Sequence, residues 1–166
     1  RAGAWSDGWK PNLLLGTDLS GSTVGLIGMG PIGQAVAKRL KGFGCHVLAW
    51  NRTPRKVTGV EFTDLETLLS NADIVSLHTA LTDDTRGMIS RERLGLMKDQ
   101  AMLINTARGG IVDEAAALER LRAGRTRVLC SVSVPSLSLE TSSGPSAMST
   151  SASGCGSVAL RRSASP

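Results

Sequence analysis

Short apolar runs alternate along this chain with stretches whose apolar residues recur at helical spacing. Thr23-Val24-Gly25-Leu26-Ile27 is a β-rich apolar run that stops at Gly28, the pattern of a buried strand. Pro31 suits a helix's first turn, and Ile32, Val36, Ala37 and Leu40 then repeat on one face as far as Gly42 and Gly44. His46 to Trp50 predicts a second strand. Phe62 to Glu66 opens a short helix, with Thr63 as N-cap, Glu66 three residues later, and Leu65, Leu68 and Leu69 as the apolar face. Asp73 to His78 predicts a third strand, and Ser90 to Leu96 a brief helix capped by Ser90 and packed through Leu94. Ala101 to Asn105 is the fourth strand. Asp113 then caps an Ala- and Leu-rich helix from Ala115 to Leu121, closed by Gly124.

Strands and helices alternating at this pitch predict an α/β fold, a Rossmann-type doubly wound parallel sheet, here incomplete. Ligands of such sheets sit beyond the carboxyl ends of the strands. The informative polar segments are therefore residues 28–33, 51–56, 78–82 and 105–109. Residues 1–22 read as a lead-in, 23–125 as a partial nucleotide-binding domain, and 126–166 as a Ser-rich tail expected to be disordered.

Composition sharpens that division. The 166 residues are 41% hydrophobic and 20% charged, ordinary for a folded domain. Thirteen of the 19 serines fall in residues 126–166, which hold one acidic residue, Glu140, and three arginines, Arg127, Arg161 and Arg162. The net charge of +5 is spread without a dense basic run, which speaks against a nucleic-acid partner. No apolar run reaches the roughly 18–20 residues of a membrane span, and no membrane partner is expected. The start at Arg1, without Met or a targeting segment, suggests a chain that begins within a longer protein. Cys45, Cys130 and Cys155 have neither disulfide-framework nor zinc spacing, so no metal is expected and a reducing, cytoplasmic setting fits.

Gly28-Met29-Gly30-Pro31-Ile32-Gly33 is a GxGxxG between a strand and a helix. Gly28 allows the tight turn, Gly30 lets backbone approach a pyrophosphate, and Gly33 lets the helix pack close to the strand. The helix start adds unpaired N–H groups and partial positive charge. A dinucleotide is the expected ligand, and a purely structural Gly-rich turn is the rival. About 20 residues on, NAD sites place an Asp or Glu for the ribose 2′-hydroxyl. Here stands Asn51-Arg52-Thr53-Pro54-Arg55-Lys56. Arg52 and Arg55 suit a 2′-phosphate, with neutral bonds from Asn51 and Thr53. NADP(H) is the preferred cofactor on this reading, with NAD(H) as the alternative; a merely solvated basic loop is the bland one. After the fourth strand, Arg108 beside Gly109 and Gly110 can face a bound anion, or pair with nearby Asp113.

Together these residues resemble the cofactor domain of the D-isomer-specific 2-hydroxyacid dehydrogenases. The likeness rests on Thr23 to Gly33, on His78-Thr79-Ala80-Leu81-Thr82, and on Ile104-Asn105-Thr106-Ala107-Arg108-Gly109, and it extends from residue 1 to about 125. The basic segment 51–56 is most similar to the glyoxylate/hydroxypyruvate reductase branch. The resemblance implies hydride transfer between NADP(H) and a small 2-keto or 2-hydroxy acid. It implies Arg108 as the catalytic residue that binds the substrate carboxylate and polarises its carbonyl. Gly30, Pro31 and Ile32 would line the pyrophosphate, Arg52 to Arg55 the adenosine end, and Ala80 and Thr106 the ribose and nicotinamide side. A homodimer is implied for the complete enzyme. Ala80 departs from the family's usual Pro, and His78 matches a cofactor-loop position rather than the catalytic histidine.

The family's proton donor is a His supported by a Glu, both downstream of the Arg-Gly-Gly motif. No His follows His78, Leu137 stands where the Glu belongs, and Glu140 matches nothing around it. The family's next strand would be an apolar run such as Ile-Ala-Gly-Ala, where this chain has Thr126-Arg127-Val128-Leu129. Loss of one T from ATC-GCG-GGT-GC yields ACG-CGG-GTG, which encodes Thr-Arg-Val. Residues 126–166 are therefore expected to be out of frame, by a real frameshift or a sequencing error, with a low-complexity linker as the alternative. The chain is expected to be an inactive fragment. A non-catalytic nucleotide-binding remnant or pseudoenzyme is the second reading. Another Rossmann enzyme, such as a 3-hydroxyacid dehydrogenase, is a weaker third that the Arg108 motif disfavours.

Overall fold

The computed structural model describes residues 18–131 apart from Pro54, and the side chains only as far as Thr126. The chain runs β1 (Thr23–Ile27), α1 (Pro31–Leu40), β2 (His46–Trp50), β3 (Glu61–Phe62), α2 (Leu65–Asn71), β4 (Ile74–Leu77), α3 (Arg91–Leu96), β5 (Ala101–Asn105), α4 (Glu114–Arg122) and β6 (Thr126–Ser131). Six parallel strands lie in the order β3-β2-β1-β4-β5-β6. The chain works outward from β1 to one edge, then crosses to β4 and works to the other. This is the doubly wound α/β arrangement.

Strand periodicity divides the core in two. Val24 and Leu26 of β1, with Val47 and Ala49 of β2, face Ala37 of α1. Ile27, Leu48, Val75 and Leu77 face the opposite way, against Leu65, Leu68 and Leu69 of α2 and Ala116 and Ala117 of α4. Gly25 is the contact that lets α2 approach, because a Cβ there would stand 2.5 Å from a Leu68 methyl. α2 has seven residues, too few to hold a helix in water without tertiary support. Its three buried leucines contribute about 1.5–3 kcal/mol each by leaving water, which is the support it has.

Three local expectations change. Asp64, not Thr63, caps α2: its carboxylate accepts the Thr67 N–H at 2.7 Å. Thr63 is drawn into the sheet instead, its N–H donating to the Ala49 carbonyl at 3.0 Å. Phe62, expected in the helix, belongs to the two-residue strand β3, too short for any periodicity to announce. The third difference is β6. Folded structure was expected to end at residue 125, yet residues 126–131 pair with β5 through a register shift between Ala101 and Leu103. A sheet edge offers unpaired N–H and C=O groups to any extended chain, and that pairing asks little of side-chain identity. The expectation for residues 132–166 lies outside the described residues, as does the lead-in up to residue 17.

Candidate functional site

Register assembles the site. Ile27 pairs with Trp50 on one side and Leu77 on the other, and Leu77 pairs with Asn105. The next residues in each strand, Gly28, Asn51, His78 and Thr106, therefore form a row along the carboxyl edge of the sheet. β1 and β4 are the neighbours between which the chain reverses its direction of winding, the place where such sheets open a crevice.

Gly28 has φ +100°, and a Cβ there would sit 2.8 Å from the backbone of His78 and Thr79. Gly33 is tighter still, with its Cβ position 2.1 Å from the Gly28 carbonyl oxygen. At Gly30 the space is open, with nothing within 4 Å of a Cβ. Gly30 is also the N-cap of α1, where no side chain bonds the first turn, and Pro31 opens the helix. Two glycines thus serve the protein's own packing, and the third leaves a gap beside the uncapped end of a ten-residue helix. Ile32, in the first turn of α1, is 68% exposed. An oxygen-rich diphosphate fits this arrangement: first-turn backbone donors that no side chain caps, positive helix polarity and room for close approach.

Asn51 is spent internally. Its Oδ1 accepts the Met29 N–H at 2.9 Å, and its Nδ2 donates to the Thr53 carbonyl at 2.7 Å. These two bonds tie the end of β2 to the Gly-rich turn. Thr53 and Arg55 are exposed. Arg52 is exposed and paired, its Nη1 donating to Asp84 at 3.0 Å.

The loop after β4 is held by Thr85. Its buried hydroxyl accepts the Thr82 N–H and donates to the Ala80 carbonyl, both at 2.7 Å. This internal staple fixes the segment where Ala80 itself brings no ring rigidity. His78 is half-buried, with Nε2 3.0 Å from the Ser76 hydroxyl. Burial holds the imidazole below its ordinary pKa of 6.5, so it is neutral at pH 7.

At the end of β5, the buried Asn105 donates from Nδ2 to the Arg108 carbonyl at 2.8 Å and accepts the Ala107 N–H at 3.1 Å. That clamp fixes the backbone from which exposed Arg108 projects. One Arg108 Nη1 bond goes to the Ala107 carbonyl at 2.8 Å. Among the described residues Arg108 makes no ion pair, and Asp113, its rival partner, caps α4 by accepting the Ala116 N–H at 3.0 Å. Thr106 and Ala80 are both exposed. Three residues of this edge escaped the sequence reading as functional parts: Asp84, Thr85 and the clamping amide of Asn105. A TxxT spacing in the loop was the only available hint, and nothing marked Asp84.

Residues 1–131 match the family model described as D-isomer specific 2-hydroxyacid dehydrogenase, NAD binding domain. The chain belongs to this family. A glyoxylate reductase of Thermococcus litoralis is 45% identical over 131 residues, covering 75% of this chain and 40% of that protein. A hydroxypyruvate reductase of Thermotoga maritima is 45% identical over 118 residues, covering 70% and 39%. The crystal structure of the TT0316 protein of Thermus thermophilus superimposes with a TM-score of 0.71 at 50% identity, over 76% of this chain and 42% of that one. The chain thus spans about 40% of the length of these dehydrogenase relatives. The match carries the dehydrogenase NAD-binding domain six residues past the end expected from the sequence, through β6. Among its described residues no helix is long and apolar enough to cross a membrane, and no group of three His, Cys, Asp or Glu could hold a metal ion.

Proposed function

We propose that this domain binds NADP(H) in preference to NAD(H). In a complete dehydrogenase it would serve hydride exchange with a small 2-keto or 2-hydroxy acid of the glyoxylate/hydroxypyruvate type. The observation that carries the cofactor preference is the end of β2. No carboxylate stands among residues 51–56, Asn51 is committed to the Gly-rich turn, and Arg52 and Arg55 are exposed beside it. The pyrophosphate would lie on Gly30, Pro31 and Ile32, with Gly28 and Gly33 shaping the turn beneath. The 2′-phosphate would lie on Arg52 and Arg55 with Thr53, and Ala80 and Thr106 would border the ribose and nicotinamide. A bound nicotinamide supplies or accepts the hydride. Arg108, on its Asn105-clamped loop, would grip the substrate carboxylate with its planar fork and draw electron density from the carbonyl.

The 166-residue chain is inactive on this reading, because among the described residues neither histidine is placed to give the proton. Its histidines are His46 and His78. His46 starts β2, at the opposite end of the sheet, and bonds Glu61 at 3.0 Å. His78 is kept neutral by burial and bonded to Ser76. Loss of a general acid costs on the order of 10²–10⁴-fold in rate. The Ser-rich residues after 131 are read as lying outside the dehydrogenase domain, and the complete enzyme as a cytoplasmic homodimer.

Titration of the chain with NADPH and NADH, followed by nicotinamide fluorescence, should give tighter NADPH binding. Arg52→Ala with Arg55→Ala should erase the difference. Equal affinities in the unaltered chain would defeat the basic-loop argument. Addition of glyoxylate or hydroxypyruvate to the NADPH-loaded chain should cause no loss of cofactor absorbance, and measurable turnover would sink the claim of inactivity.

A further inference from the structure

Arg52 comes with a counter-ion from elsewhere in the chain. It follows β2, whereas Asp84 lies in the loop between β4 and α3, 32 residues away in sequence. β2 and β4 are the two strands flanking β1. The 3.0 Å pair therefore links loops on either side of the β1 end, where the Gly-rich turn begins. Asp84 is also carried on an anchored segment, since the Thr85 hydroxyl next to it bonds both Ala80 and Thr82.

The two side chains are 72% and 76% exposed, so their attraction is weak and readily exchanged. A phosphate offered to Arg52 takes the place of one carboxylate oxygen on the guanidinium fork. Asp84 then remains within a Debye length as a like charge facing the phosphate. A ligand with a bare 2′-hydroxyl meets neither effect, because it does not ask Arg52 to leave its partner. We propose that Asp84 is a specificity-determining residue: through its pair with Arg52 it holds down affinity for a 2′-phosphorylated nucleotide without affecting the unphosphorylated one. This rests on the reading of Arg52 as a 2′-phosphate ligand.

Calorimetric titration of the intact chain with 2′,5′-ADP and with 5′-AMP isolates the 2′-phosphate from the rest of the cofactor. Asp84→Asn should tighten 2′,5′-ADP binding about two- to fivefold, the range of an exposed ion pair. It should leave 5′-AMP binding and the melting temperature unchanged. In an Arg52→Ala background the gain should vanish. Equal tightening of both ligands, or unchanged or weaker 2′,5′-ADP binding while Arg52→Ala still weakens it, overturns the role of Asp84 and leaves the phosphate site standing. If Arg52→Ala has no effect on 2′,5′-ADP, the phosphate site itself is wrong and the role of Asp84 goes with it.

Discussion

Among the described residues, α2, α3 and α4 each begin on a side-chain cap, and α1 does not. Asp64, Ser90 and Asp113 accept N–H bonds from Thr67, Arg93 and Ala116, and each of those helices has a Glu in its first turn. α1 begins on Gly30 with no side-chain bond and no acidic residue in its first turn. The backbone is not the reason. Gly30 has φ −69° and ψ −172°, close to Ser90 at −71° and 173°. The missing part is the side chain alone, at a position where any residue fits the conformation. Three helix starts are satisfied by side chains, and the fourth is the one our proposal gives to an anion from outside.

The sharpest way to break this contrast is to separate the glycines by what they serve. Gly33→Ala drives a Cβ to 2.1 Å from the Gly28 carbonyl, against backbone that has no rotamer by which to yield. The expected result is loss of more than about 4 kcal/mol and of the cooperative melt, seen by circular dichroism. Gly30→Ala, facing open space, should cost no more than about 1 kcal/mol, the scale of an N-cap change without a clash. If the two variants melt alike, the packing assignment is wrong.

Gly30→Asp tests the same idea from the ligand side. It would give α1 the cap and the negative charge that the other helices carry, stabilising the fold by a few tenths of a kcal/mol. The same carboxylate would occupy the donors meant for the pyrophosphate and repel it. Loss of one or two charge-assisted bonds corresponds to about ten- to a hundredfold weaker NADPH binding. A variant that is more stable and binds equally well would show that α1 is not the anion site.

The legible part of the molecule is the part written in backbone requirements and periodicity. The strand-GxGxxG-helix unit, β2, β5, the Ser90 and Asp113 caps and the αL closure at Gly124, φ +67°, all follow from residue type and spacing. The elements that sequence reading missed depend on partners distant in the chain. Thr63 was a sound cap by its own chemistry, and lost the position because its N–H was claimed by Ala49 in β2. Asn51 has the right donor for a phosphate, but its amide also braces the turn: the oxygen accepts the N–H of Met29, 22 residues away, and Nδ2 donates to the Thr53 carbonyl. Nothing in the residues around Arg52 announces its partner Asp84, 32 residues away across the β1 end. β6 was set aside on side-chain grounds, whereas edge pairing is decided by the backbone.

Among the capped helices, Asp113→Ala should cost about 1 kcal/mol of stability, the usual value of a lost N-cap. NADPH affinity should stay unchanged, because the Asp113 carboxylate is turned to its own helix. Thermal melts beside NADPH titration separate the two effects. A change in affinity as large as that of Gly30→Asp would mean that α4 also contributes to the nucleotide site.

The smallest expected effect concerns His78, beside the same Gly-rich turn. Burial lowers its pKa below the ordinary 6.5, so the folded protein resists a proton that the unfolded chain accepts. Where the unfolded state binds more protons, stability rises with pH. Stability should therefore fall as pH drops through 6.5 toward the folded-state pKa of His78, and level off below it. Asp64 and Asp73 work in a separate window. Backbone N–H bonds from Thr67 and Thr23 hold their carboxyls below 3.8, so their contribution persists until the medium is more acidic than that. Urea denaturation from pH 8.0 down to 5.0, an interval above the Asp64 and Asp73 window, should show the decline in the wild type as pH falls through 6.5. His78→Gln keeps an amide within reach of Ser76 and cannot titrate, so the decline should be smaller there. An identical pH slope in both proteins would place the proton-sensitive group elsewhere and leave His78 as packing beneath Gly28.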